Sequence, residues 1–100
     1  MEDVDWRWRS VGLHRFQIVR CEVTAHRGRF GVDVNITSPI SGISAFIDFV
    51  MLSDEGHTAP EGFPVIGSRL DAVTIDFMPD GELRLSSRQS SLARARSRNF

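Results

Sequence analysis

The stretch FQIVRCEVTAHRGRFGVDVNI, residues 16–36, decides the fold. Val19, Cys21, Val23 and Ala25 alternate with Arg20, Glu22, Thr24 and His26, the period-two pattern of a strand with one buried face. Past the turn at Arg27, Gly28 and Arg29, the alternation resumes. Phe30, Val32, Val34 and Ile36 share one phase, and Gly31, Asp33 and Asn35 share the other. Two such runs around a glycine turn read as a β-hairpin. The hairpin also poses the functional question, because Phe30 sits between Arg29 and Gly31 and is either core or an exposed aromatic platform.

Working outward, TSPISG (37–42) is a loop, and ISAFIDFVML (43–52) reads as a third, largely buried strand, with a short helix as the other reading of the same pattern. SDEGHTAPEGFPVIG (53–67) carries two prolines and three glycines and is expected to be a long surface loop. SRLDAVTIDF (68–77) and ELRLSS (82–87) flank MPDG, where Pro79 presets φ and Gly81 supplies positive φ, so a closing hairpin is expected. The fourth strand has two apolar phases, Leu70, Ala72 and Thr74 against Val73, Ile75 and Phe77. A bulge near Val73 reconciles them. Five short strands with one long loop after the third suit an all-β, five-stranded Greek-key barrel of the OB type. Residues 1–15 form an irregular N-terminal extension, 16–88 the barrel and 89–100 a basic tail. That tail can form a short helix around Leu92 to Arg96 but has too few apolar residues to dock strongly.

At 100 residues the chain suits one small domain with a tightly packed core. Its longest apolar run is interrupted by Asp48 and is far short of the roughly 20 residues of a membrane span. The start MEDVDWRWRS has no apolar signal region, so a cytoplasmic location is the expectation. The one cysteine, Cys21, excludes an internal disulfide and reads as a small core residue. Net charge is −1, unevenly distributed. Residues 51–83 hold seven acids against Arg69 alone, whereas the chain from Arg84 onward has five arginines and no acid. That basic segment is suited to phosphates or an acidic protein surface, or is simply a solvated tail. All twelve basic residues are arginine, which codon bias explains as well as nucleic-acid binding does.

FGVDVNI, GISAFIDFVMLSD and VIGSRLDAVTIDFMPDGELRLSSR together resemble the S1 domain, a family whose pattern runs through an FG-x-FV strand, a G-hydrophobic-H-hydrophobic-S strand, a glycine before strand four and a closing G-x-hydrophobic-x-LS. The resemblance covers about residues 16–88 and implies an S1-like OB barrel that binds single-stranded RNA on one face. It aligns Phe30 with the first aromatic of the strand-two motif, so the ring is expected to face outward. The chain departs from the pattern elsewhere. The second aromatic falls on Asp33, the strand-three histidine on Asp48, the acid near the last turn on Met78 and the basic residue after the glycine on Glu82. Asp33, Asp48 and Glu82 oppose the neutralisation of phosphates that polyanion binding needs, so affinity on that face is expected to be weak. A basic rim of His26, Arg27, Arg29, Arg84 and Arg88 around Phe30 is the expected nucleic-acid site. The alternative is a protein-interaction module that has lost its RNA face and uses apolar groups such as Phe46, Phe49 and Phe63.

Other chemistries are weakly supported. His14, His26 and His57 lack metal-ligand spacing, and no cofactor is implied. Cys21 and His26 are five residues apart on one strand and point to opposite faces, so they cannot form a dyad. Asp76 and Asp80 flank a turn and are expected to be solvated or turn-forming. Trp6 and Trp8 alternate with Arg7 and Arg9, a pattern that permits base stacking but fits a cap on the barrel mouth better. No enzymatic activity is expected.

Overall fold

A computed structural model describes residues 6–98. Its elements are α1 (Trp6–Val11), β1 (Ile18–His26), β2 (Gly31–Ser38), β3 (Ile43–Asp48), a 3-10 turn (Pro60–Gly62), β4 (Arg69–Phe77), β5 (Leu83–Ser86) and α2 (Gln89–Ser97). The strands close into one barrel in the order β1-β2-β3-β5-β4. All pairs are antiparallel except β3 with β5, where Ala45, Phe46 and Ile47 lie opposite Leu83, Arg84 and Leu85. This is the five-stranded OB barrel read from the sequence. Register shifts in β1 beside Arg20 and Val23 bend that strand enough to pair with both β2 and β4.

The alternating positions supply the interior. Val19, Cys21, Val23, Val32, Val34, Ile36, Ala45, Ile47, Ala72, Leu83 and Leu85 are all buried in one cluster. Burial, reinforced by the charge of Asp71, pushes the Cys21 thiol up to about 12, which fits an inert core group. Phe30 does not belong to this set. It precedes β2, and the residue is 57% exposed.

Several local expectations are refined. β3 ends at Asp48, four residues earlier than the apolar run, because the Asp48 carboxylate accepts the Val50 N–H at 3.0 Å and its carbonyl accepts the Met51 N–H at 2.8 Å. That side-chain turn stops the strand. The register shift in β4 falls between Thr74 and Asp76, just beyond the expected position. The second apolar phase has a further cause: Val73 and Ile75 face outward beneath α2, where Leu92 and Ala95 are buried against them and Ile18. The tail is therefore docked, contrary to the expectation of weak docking, since two small or branched side chains at helical spacing meet an apolar strip already prepared on the barrel wall. Asp54, from the long loop, accepts the Ser90 N–H at 2.9 Å and the Ser90 hydroxyl at 2.5 Å, capping the first turn of α2 from a distance in sequence.

The segment before the barrel, expected to be irregular, contains α1. Trp8 packs edge-on against Phe77 at 4.7 Å, and Leu13 enters the core, so this segment covers one end of the barrel. Trp6 is exposed. Residues 1–5, including the acids at the start of the extension, and residues 99–100 at the end of the tail lie outside the described residues. Among the described residues no helix is long and apolar enough to cross a membrane.

Candidate nucleic-acid interface

Across the outer face of four strands, Asp33 of β2 lies opposite Phe46 of β3, Phe46 opposite Arg84 of β5, and Arg84 opposite Asp76 of β4. Phe46 belongs to the outward phase of β3, yet it is only 4% exposed. What covers it is Arg27. The guanidinium sits 4.2 Å from the Phe46 ring centroid, within cation–π range. It is held there by Glu82, through bonds of 3.0 and 2.6 Å, and by Asp33. Hydrogen bonding to Glu82, outweighing the cost of desolvation and helped by Asp33, holds Arg27 above its ordinary pKa. On the other side the ring approaches Gly31, where an added Cβ would meet the Ile47 carbonyl oxygen at 2.1 Å and the ring at 2.9 Å. Only glycine fits at that position.

Arg84 is spent in the same way. Its Nε and Nη2 donate to the two Asp76 oxygens at 3.0 and 2.8 Å, and this pairing, with Asp48 contributing, raises its pKa. Asp76 is thus a pairing group rather than a solvated one, whereas Asp80 does form the turn by accepting the Glu82 N–H at 2.9 Å. Arg88 donates to Asp54 at 3.3 Å. The His26 Nε2 lies 2.7 Å from the Pro64 carbonyl and therefore carries the proton that is donated, while the ring packs edge-on against Phe63. Of the five residues expected to form the basic rim, His26, Arg27, Arg84 and Arg88 are engaged within the chain. Phe46 and Phe63, named as apolar partner contacts, are buried.

Arg29 and Phe30 are placed differently. The Arg29 guanidinium is 5.7 Å from the Phe30 ring, and both line a cleft of about 460 Å³ with Phe49, His57 and Pro60. The Phe49 N–H donates to the Phe30 carbonyl at 3.0 Å and the Thr58 N–H to the Phe49 carbonyl at 3.2 Å, so the long loop folds back onto the hairpin tip. His57 then meets Phe49 edge-on, with centroids 4.8 Å apart. The result is a cleft walled by two phenylalanines and an imidazole, with Arg29 at its edge and no acid among the described residues of its lining. Flat π-faces beside a cation can stack a base and hold its phosphate. Sequence reasoning missed Phe49 and His57 as members of this site. The sequence offered Phe49 only as part of a buried apolar run or as an apolar contact for a protein partner, and no periodicity tells where a residue in a fifteen-residue loop will come to rest.

No family model matches the chain, and no curated protein matches it in sequence. Solved structures do share its fold. A chain of the a/eIF2alpha–aDim2p–rRNA complex of Pyrococcus horikoshii aligns with a TM-score of 0.64 at 18% identity, covering 84% of this chain and 51% of that one. The intact alpha subunit of aIF2 from Pyrococcus abyssi gives 0.63 at 19% identity, with 76% and 29% covered. GSP13 of Bacillus subtilis gives 0.61 at 11% identity, with 78% and 58% covered. The chain thus spans about half the length of the first of these and under a third of the second. At such identities the likeness is one of fold.

Proposed function

We propose that this chain is a non-catalytic, S1-like module that binds single-stranded RNA weakly, with residues 16–88 as the binding unit and the cleft at the hairpin tip as its base-stacking site. The observation that carries this reading is the aromatic cleft itself: Phe30 is open to solvent, Phe49 and His57 complete the walls, and Arg29 is its cation. The strand face, in contrast, is closed by its own ion pairs. A structural neighbour that belongs to a complex with rRNA supports the choice of ligand class.

The test is to titrate wild type and Phe30→Ala with a short single-stranded RNA at two salt concentrations. A stacked base contributes about 1–3 kcal/mol, so the variant should bind more weakly by that amount. It should remain folded, because a ring this exposed lacks the burial that makes core Phe→Ala changes cost about 3–5 kcal/mol. A folded variant with wild-type RNA affinity would refute the proposal.

A further inference from the structure

The end of the barrel opposite the hairpin tip carries another aromatic among arginines. Phe16 lies two residues before β1 and has φ of +63°, the only positive φ outside glycine among the described residues. This conformation is strained for any side chain with a Cβ, and phenylalanine has no polar group to offset it. The surroundings impose it. The Phe16 N–H donates to the Thr74 carbonyl at 2.8 Å, the Gln17 N–H to the Thr74 hydroxyl at 2.9 Å, and that hydroxyl to the His14 carbonyl at 2.6 Å. Thr74 is fully buried, so the frame is rigid. The strain does not serve core packing, because Phe16 stands outside the barrel interior and the residue stays 38% exposed. Backbone strain held in place by its surroundings is a mark of functional positions.

Among the described residues, the charged groups shown beside the ring are all arginines. The Arg98 guanidinium lies 4.5 Å from the Phe16 centroid and that of Arg15 lies 5.9 Å from it. Arg94 and Arg98 border a hollow of about 70 Å³ beside the ring, whose lining contains no acid among the described residues. This distinguishes them from Arg27, Arg84 and Arg88, which all pair with carboxylates. An outward ring with guanidinium planes beside it and no competing carboxylate among the described residues is suited to a nucleotide, whose base stacks while its phosphate meets arginine.

We infer that Phe16, Arg15, Arg94 and Arg98 form a second nucleotide platform, engaged by the same single strand that occupies the Phe30 cleft. This rests on the RNA-binding reading proposed above. The nine residues of β1 separate the two platforms by roughly 25–30 Å, so only a longer strand reaches both. Docking of α2 is what carries Arg94 and Arg98 to the ring.

The experiment uses the full chain with oligouridylates of about 4 and 12 nucleotides, inside the range of about 4–16 that one OB barrel holds. Phe16→Leu keeps an apolar group beneath α2 and removes the π-face. It should weaken binding of the longer strand by about five- to a hundred-fold and leave the shorter one unchanged. Arg98→Gln should lower the salt dependence of the longer strand by about 0.7. Wild-type affinity and slope for the longer strand in both variants would overturn the inference. So would a lower melting temperature in Phe16→Leu with unaltered binding, since that marks a purely structural ring. In either case loss of short-strand binding in Phe30→Ala would leave the first proposal standing. Absence of binding to both lengths by wild type would overturn both.

Discussion

Replacing Asp33 by Asn and Glu82 by Gln removes both negative charges that hold Arg27 over Phe46 and tests whether these carboxylates keep the strand face closed to a polyanion. In wild type the face carries Arg27 and Arg84 against Asp33, Asp48, Asp76 and Glu82, a balance of two positive to four negative groups. The double variant balances them. A carboxylate about 10 Å from a phosphate in water-like dielectric repels it by about 0.4 kcal/mol, so removing two should tighten RNA binding about fourfold at low salt. Screening reduces this gain near 0.1 M salt, where the Debye length is about 10 Å. An Arg27 released to a phosphate should also steepen the salt dependence by about 0.7. The stability cost should be modest. The paired side chains are between 23% and 40% exposed, amide oxygens still accept hydrogen bonds, and each such pair is worth about 0.2–1 kcal/mol. A fall in Tm of roughly 4–8 °C per kcal/mol lost is expected for a domain this size. Fluorescence titration with single-stranded RNA at two salt concentrations, beside thermal denaturation, measures both effects. Unchanged affinity with an unchanged salt slope would show that these carboxylates do not gate the face.

Other outcomes follow from the same geometry. Gly81 has φ of +92° with open space around it, so Gly81→Val should cost about 1 kcal/mol or more through backbone strain alone, and an unchanged melting temperature would contradict the turn. Leu92→Ala removes a buried side chain and should destabilise by about 2–5 kcal/mol; a change near zero in chemical denaturation would mean that α2 is not docked. Asp54 is held below its ordinary pKa first by the Ser90 hydroxyl, then by the Ser90 N–H and Arg88. A depressed carboxylate stabilises above its unfolded pKa and loses that contribution as pH falls through the folded value. The Tm difference between wild type and Asp54→Asn should therefore be present at pH 6 and shrink in strong acid, and a gap independent of pH would exclude this linkage.

What the amino-acid order determined by itself was the barrel. Alternation in residues 18–26 and 31–36 assigns each side chain to an inner or outer face, because a strand has only two, and the turn residues Gly28 and Gly81 mark where the chain reverses. Those constraints are local, so they are legible without coordinates. The outward fate of Phe30 was legible too, through the motif it resembles. What only the tertiary structure decided was which charges remain available. Arg27 looked like part of a binding rim until closure of the barrel brought Glu82 beside it, 55 residues away in sequence. The same closure gave Arg84 to Asp76, while the folded loop delivered His57 to Phe49 and Asp54 to α2. A sequence lists a cation's neighbours along the chain, but its electrostatic role depends on neighbours in space. Those pairings fall off within a few ångströms, and only the folded barrel sets distances that finely.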